Sequence, residues 1–269
     1  MLETDKVFAG SIPENYDRHM VPLIFAPYAA DLARRAAAWA PGAVLETAAG
    51  TGVVTRALAP QLPPGARYVA SDLNRPMLDF AASRQGADSR VEWRQADALA
   101  LPFADGAFDL VCCQFGAMFF PDRPAAYREA RRVLKPGGHL LFSVWDRIEE
   151  NVFADDVTNA LAKLFPHDPP RFLARTPHGY HDRVAIERHL GAAGFTSHPV
   201  FDTVSARSRA ASPRDPAVAY CEGTPLRTEI EARGSLAEAT EVAAKAMARA
   251  FGEGPVDGKI QAHVIEVEA

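Results

Sequence analysis

The sequence predicts an α/β fold: a mostly parallel sheet with helices on both faces. Three observations carry this. Strand-like and helical segments alternate from Ala43 to Trp145, the pattern that parallel sheets with crossover helices require. The first strand passes into the first following helix through Gly50-Thr51-Gly52, a turn that lets backbone approach a ligand closely. The chain has 269 residues and 48% hydrophobic content, enough for a substantial core without disulfide or metal staples.

Residues 14–40 carry helical spacing interrupted by Pro22 and Pro27 and closed by Pro41-Gly42. Ala43-Val44-Leu45-Glu46 is a short strand, and Val53–Ala59 is a helix ended by Pro60 and Pro63-Pro64-Gly65. Arg67–Ser71 is a second strand ending at Asp72, followed by a helix over Met77–Arg84 with Pro76 in its first turn, where the missing N–H costs nothing. Val91–Gln95 alternates as a strand and stops at Asp97; Phe108–Phe115 is a mostly apolar strand. Pro124–Leu134 reads as a helix stopped by Pro136-Gly137-Gly138, ahead of a strand over His139–Trp145. Beyond Asp146 the alternation loosens. Helical patterns cover 152–164, 183–193, 214–222 and 235–251; strand-like stretches cover Pro199–Arg207 and Ile260–Glu268; Pro166–His181 reads as an irregular excursion.

Composition excludes several function classes. Charged residues make up 23% and the net charge is −5, so there is no basic surplus for general nucleic-acid binding. Three cysteines, Cys112, Cys113 and Cys221, two of them adjacent, cannot form a disulfide framework and point to a reducing, cytoplasmic setting. Met1–Lys6 is polar and lacks the apolar run of a signal peptide, and no apolar run is long enough to span a membrane. Neither G-x-S-x-G nor G-x-x-x-x-G-K-[ST] occurs, so a serine-hydrolase elbow and a phosphate-loop NTPase are unsupported.

The loop Glu46–Gly52 and Asp72, twenty residues after Gly52, have the layout of a nucleotide site: glycines and a helix N-terminus near the ligand, and a carboxylate for ribose hydroxyls. The dinucleotide fingerprint G-x-G-x-x-G is incomplete, because Thr55 occupies its third glycine position. Glu46, an anion beside the loop, suits a cationic ligand better than a pyrophosphate. A plain strand–helix turn with a capping Asp is the competing structural reading. Asp97 and Ala98, ending the third strand, offer a carboxylate for an adenine amino group and an N–H for a ring nitrogen.

Taken together, Val44–Thr55, Ala70–Met77, Gln95–Pro102, Phe108–Phe120 and Arg131–Ser143 resemble the class I S-adenosylmethionine-dependent methyltransferases, in the branch similar to the ubiquinone/menaquinone-biosynthesis C-methyltransferases. The resemblance covers about residues 14–146. It implies a Rossmann-like seven-stranded sheet, mostly parallel, with a last antiparallel strand (260–268) beside strand five and Pro199–Arg207 at the edge. It implies one methyltransferase domain over 1–269: a cofactor core at about 14–146, with substrate-covering elements at 1–28 and 147–258. The implied cofactor is S-adenosyl-L-methionine. By the same resemblance, Glu46 meets the amino end of its methionine moiety, and Thr47, Ala48, Gly50, Thr51 and Gly52 line it. Asp72 holds the ribose, Leu73 and Met77 pack near adenine, and Asp97 and Ala98 read it. Gln114 and Phe115 face the methionine and sulfonium, and Tyr16, within Asn15–Arg18, closes over the cofactor. One departure is Ala48 where the family has glycine; because Ala resists positive φ, the first turn of the loop is expected to differ.

The implied reaction is methylation of carbon, oxygen or nitrogen in a small, partly apolar molecule, since Phe153, Phe165, Phe172 and Tyr180 populate the region beyond the core. A nicotinamide-dependent Rossmann oxidoreductase and a non-catalytic S-adenosylmethionine-binding protein are the alternatives. His19 and His181 are candidates for a general base, since both fall in segments expected to cover the pocket. His178 and His181 lack the further ligands of a metal site and read as a surface or substrate-facing loop. Cys112 and Cys113 read as small core residues on opposite faces of a strand, and Phe115, Met118, Phe119 and Phe120 as an aromatic cluster at its end.

Overall fold

The computed structural model describes residue 14, residues 16–86 and residues 88–269. The Met1–Lys6 leader reading and Asn15 fall outside them.

A widened π-helical stretch, Tyr16–Phe25, runs directly into helix α1 (Ala26–Ala38). Pro22 and Pro27 therefore do not break the chain as expected. Pro22 sits inside the π-helical stretch. Pro27 is the second residue of α1, directly after that stretch. Then follow β1 (Ala43–Glu46), α2 (Val53–Leu58), β2 (Arg67–Asp72), α3 (Arg75–Arg84), β3 (Val91–Gln95), β4 (Phe108–Gln114), α4 (Arg123–Val133) and β5 (Leu134–Trp145). The remainder comprises α5 (Val152–Leu164), α6 (Phe172–Arg175), α7 (Arg183–Ala192), β6 (Val200–Ala210), α8 (Arg214–Glu222), α9 (Leu226–Glu231), α10 (Leu236–Phe251) and β7 (Val256–Glu268).

The sheet has seven strands in the order β3-β2-β1-β4-β5-β7-β6. β1 pairs in parallel with β2 and β4, β2 with β3, and β4 with β5. β7 runs antiparallel to β5: Ala269 N–H donates to Gly138 O at one end and Asp146 N–H to Gln261 O at the other. This is the expected Rossmann-like sheet with its last strand reversed and β6 at the edge.

Two boundaries differ from expectation. Pro136-Gly137-Gly138 does not separate a helix from a strand. Pairing jumps from Phe108–Leu134 to Leu110–His139, so β5 begins at Leu134 and the Pro-Gly-Gly run forms an irregularity within it. The irregular excursion at 166–181 contains the single-turn helix α6.

By contacts the chain forms two compact units. Of the described residues, one holds those up to 26, 145–180 and 205–262; the other holds those within 27–144, 181–204 and 263–269. In the first, α10 packs on α8 and α5, and α8 on the π-helical stretch. In the second, the core joins Leu32, Ala33 and Ala36 of α1, Val54 and Leu58 of α2, Tyr68 of β2, Cys112 of β4 and Leu141 of β5. α4 packs on α7 in the same unit. Cys112 and Cys113 are both buried, as expected of small core residues.

Candidate cofactor site

The parallel strands of an open α/β sheet present their carboxyl ends as the place for a ligand. β1 lies between β2 and β4, and it ends on an acid. Glu46 is only 2% exposed. Tyr68 Oη donates to its Oε2 at 2.6 Å, and Thr55 Oγ1, one turn into α2, donates to the same oxygen. Both donors use Oε2, so Oε1 is the oxygen left for a ligand. Burial pushes the Glu46 carboxyl up to about 7; the charge of Asp72 adds to this, while the Thr55 and Tyr68 donors and Arg56 oppose it.

The loop after β1 is held from both sides. Thr47 N–H donates to Cys112 O of β4, and Ala49 N–H to Ser71 O of β2, each at 2.9 Å. Between these anchors Ala48 takes φ +53°, and Gly50 and Gly52 take +56° and +79°. Ala48 thus takes a left-handed conformation that alanine resists, between two anchored neighbours, at a strain on the order of 1–2 kcal/mol.

The loop after β4 meets it there. Gly116 lies so close that a Cβ on it would fall 2.4 Å from Ala48 Cβ and 2.7 Å from Cys113 Sγ. The preceding residue, Phe115, is also left-handed at φ +52°. Its N–H donates to Ser143 O at 3.1 Å, and its ring stands edge-on to Tyr28 with centroids 5.3 Å apart. Phe115 and Met118 are buried, while Phe119 and Phe120 are half-buried.

Asp72 ends β2. It accepts from Gly50 N–H (2.9 Å) through Oδ2 and from Asn74 N–H (2.8 Å) through Oδ1, so one carboxylate fixes both the glycine loop and the turn into α3. Burial raises its carboxyl, against these donors. Met77 is buried, with its Cε 3.7 Å from where a Cβ on Gly50 would lie; Leu73 is 47% exposed. Gly52 has room for no side chain: a Cβ would meet Ala81 and Trp93 at 3.1 Å. Asp97 is exposed and accepts from Leu99 N–H, while Ala98 lines a small apolar cavity with Thr47, Cys113 and Phe142. Buried oxygens of Gln114 and Thr51, Oε1 and Oγ1, have no partner, each an unmet group costing about 1–3 kcal/mol.

Glu46, Thr47, Ala48, Gly50, Thr51, Gly52, Asp72, Leu73, Asp97, Ala98, Gln114 and Phe115 thus belong to the loops and strand ends at the carboxyl side of β1–β4, and Met77 to the first turn of α3, which follows β2. Tyr16 belongs to the other unit, where its ring stacks on Phe25 at 5.0 Å. His19 is half-buried in the same π-helical stretch, and His181 is half-buried ahead of α7. Of the surface or substrate-facing reading, the surface half is corrected at His178, which is buried with Nδ1 2.8 Å from Asp146 O. Among the described residues no group of three or more His, Cys, Asp or Glu could hold a metal ion. Sequence reasoning overlooked Tyr68 and Gly116. Thr55 was seen as the loss of a glycine, and that substitution is the one signal that a side chain is needed there.

Residues 45–142 match the family described as Methyltransferase domain. A demethylmenaquinone methyltransferase of Clavibacter sepedonicus is 33% identical over 57% of this chain and 65% of its own length. A demethylmenaquinone methyltransferase of Thermus thermophilus is 46% identical over 38% of this chain and 46% of its own length. A ubiquinone/menaquinone biosynthesis C-methyltransferase of Xylella fastidiosa is 34% identical over 56% and 65%. The chain thus spans less than two thirds of each of these relatives. None of the three is a nicotinamide oxidoreductase or a non-catalytic binding protein. Among solved structures, the YcgJ protein of Bacillus subtilis shares the fold with TM-score 0.56 at 20% identity, over 88% of this chain and 97% of that one. A candidate methyltransferase of Bacillus halodurans C-125 does so with TM-score 0.54 at 21% identity, over 84% and 91%.

Two expected outcomes follow from the geometry. Glu46 has a higher pKa folded than unfolded, where 4.5 is its ordinary value, so the folded state holds its proton more tightly. Its contribution to stability is greatest below pH 4.5 and is lost as pH rises to about 7. In urea titrations of the ligand-free protein, Glu46→Gln should match the wild type near pH 5 and exceed it at pH 8; a difference independent of pH would contradict this. Gly116→Ala should destabilise by at least about 2 kcal/mol through overpacking, and adding Ala48→Gly should recover part of that loss. Strict additivity of the two changes would show that the loops do not meet at this point.

With the site and its relatives in view, residues 45–142, which run from β1 into β5 and carry all thirteen clustered residues, are the part of the chain that is similar to the methyltransferase-domain family.

Proposed function

We propose that the protein transfers a methyl group from S-adenosylmethionine to a small, partly apolar acceptor. The observation that carries this reading is the pair of buried carboxylates, Glu46 and Asp72, at adjacent strand ends. Two buried acids, whose ionised forms a neighbouring cation favours, oppose a pyrophosphate and suit a ligand with a cationic end and a neutral sugar. The donor set fits the cofactor. Glu46 Oε1 and the unpartnered Gln114 Oε1 are acceptors for an ammonium; Asp72 serves ribose hydroxyls; Asp97 and the Ala98 N–H serve the adenine edge, with Leu73 and Met77 against the ring.

When bound, S-adenosylmethionine supplies an electrophilic methyl on a sulfonium whose departure needs no protein acid. The chain's own part is then to hold and orient. Glu46 must be ionised to accept the ammonium, and a cation beside it favours that form against its burial. The loop anchors at Thr47 and Ala49 fix the backbone, so little ordering remains at binding, and positioning supplies much of the rate. For a weakly acidic acceptor a base removes one proton; His19 and His181 are the proposed candidates. Acceptor choice is proposed to be encoded in segments 1–28 and 147–258, outside the matched family region, with Tyr16 part of the first. The names of the relatives make a quinol-type ring the first acceptor class to test. No helix among the described residues is long and apolar enough to cross a membrane; a cytoplasmic location, action without nucleic acid and action without metal belong to the proposal.

Asp72→Ala should weaken S-adenosylmethionine binding at least tenfold by calorimetry, since charge-assisted bonds contribute about 1.5–3 kcal/mol each, with an unchanged circular dichroism spectrum. An unaltered Kd, or wild-type protein that binds NAD in preference, sinks the reading. For the base, kcat of His19→Gln and His181→Gln measured from pH 5.5 to 9 should show a loss of roughly 10²–10⁴-fold in one variant with cofactor affinity intact. Wild-type profiles in both would leave proximity alone, or another group, as the means.

A further inference from the structure

The residues that serve the cofactor come from the carboxyl ends of β3, β2, β1 and β4, which are consecutive in the sheet. The next carboxyl end in line is that of β5, and it carries Ser143. Ser143 is paired in register with Gln114, so the two side chains leave the same face of the sheet. Both carry an oxygen that is buried and has no partner, Gln114 Oε1 and Ser143 Oγ. Ser143 is 1% exposed; its carbonyl accepts from Phe115 N–H, the residue held in a left-handed conformation. A strained backbone position and an unmet buried hydroxyl side by side are the marks of a site kept for a ligand rather than for stability. The cofactor's polar ends are accounted for on the four preceding strands, which leaves the hydroxyl to the other reactant. A hydroxyl can give one hydrogen bond and accept another, so its counterpart is a polar group, of which a ring hydroxyl is the simplest probe; the neighbouring Phe115–Tyr28 aromatic pair calls for an apolar ring to carry it.

Resting on the methyl-transfer reading, we infer that Ser143 is a specificity-determining residue that hydrogen-bonds a polar group on the apolar ring of the methyl acceptor.

The test uses the full chain saturated with S-adenosylhomocysteine and two probes, 1-naphthol and naphthalene, titrated by intrinsic fluorescence. The wild type should bind 1-naphthol about tenfold more tightly than naphthalene, the factor of one good hydrogen bond. Ser143→Ala should erase the difference, and Ser143→Thr should keep it. Because alanine removes an unmet polar group, the melting temperature of ligand-free Ser143→Ala should be unchanged or raised, a result that a structural role would reverse. If the alanine variant fails to fold, Ser143→Cys, similar in size with a poorer donor, replaces it. A preference that survives in Ser143→Ala overturns the inference. So does a fall in S-adenosylhomocysteine affinity, which would assign Ser143 to the cofactor, and so does binding of neither probe. Failure of the wild type to bind S-adenosylhomocysteine at all overturns instead the reading beneath it.

Discussion

A carboxylate shut away from water at the end of β1, an inner strand of the sheet, is the constraint around which the rest is arranged. Glu46 would be intolerable there without donors, because desolvating a charge costs far more than a marginally stable fold can absorb. Tyr68 reaches it from β2 and Thr55 from α2, so two elements are placed by the need of a third. Asp72 repeats the device one strand over, taking the N–H groups of Gly50 and Asn74. The acids therefore act twice: they fix the loops that surround them, and they set the sign of the charge those loops can accept.

Backbone strain follows from the same requirement. The loop leaving β1 is tied to β2 and β4 within three residues. Between those anchors Ala48 is left-handed, and Gly116 must lack a side chain to clear it. Strain of this kind persists only where surrounding bonds over-determine it, and here the determining bonds belong to three parallel strands.

Much of this was legible in the sequence, and the limits of legibility are physical. Strands announced themselves by apolar runs, and their acidic ends, Glu46, Asp72 and Asp97, stood out because charge at the end of an apolar run has few structural uses. What the sequence hid were relations between distant positions. Gly116 is one glycine among several until Ala48 is placed against it. Tyr68 reads as an alternating strand residue until its hydroxyl is seen on Glu46. The Pro-Gly-Gly run at 136–138 read as a stop because local turn chemistry outweighs a bulge in any one-dimensional reading. The helical run through Pro22 was missed because a widened turn accommodates a residue that a regular turn rejects. His178 was misplaced because a polar residue in a proline-rich stretch gives no sign of the carbonyl waiting for it at Asp146.

The reversed strand has a consequence for how the molecule comes into being. β7 lies between β5 and β6, so β6 has no strand neighbour until 256–268 arrive. Pairings that bridge more than a hundred residues of intervening chain close slowly, because the entropy of the loop is lost before the contact forms. On the ribosome, the sheet as far as β5 can therefore assemble early, while β5 keeps one edge open. Some fifty residues later β6 emerges with nothing to join. An open strand edge is a template for wrong pairing, and for this chain that exposure lasts until synthesis reaches its final strand.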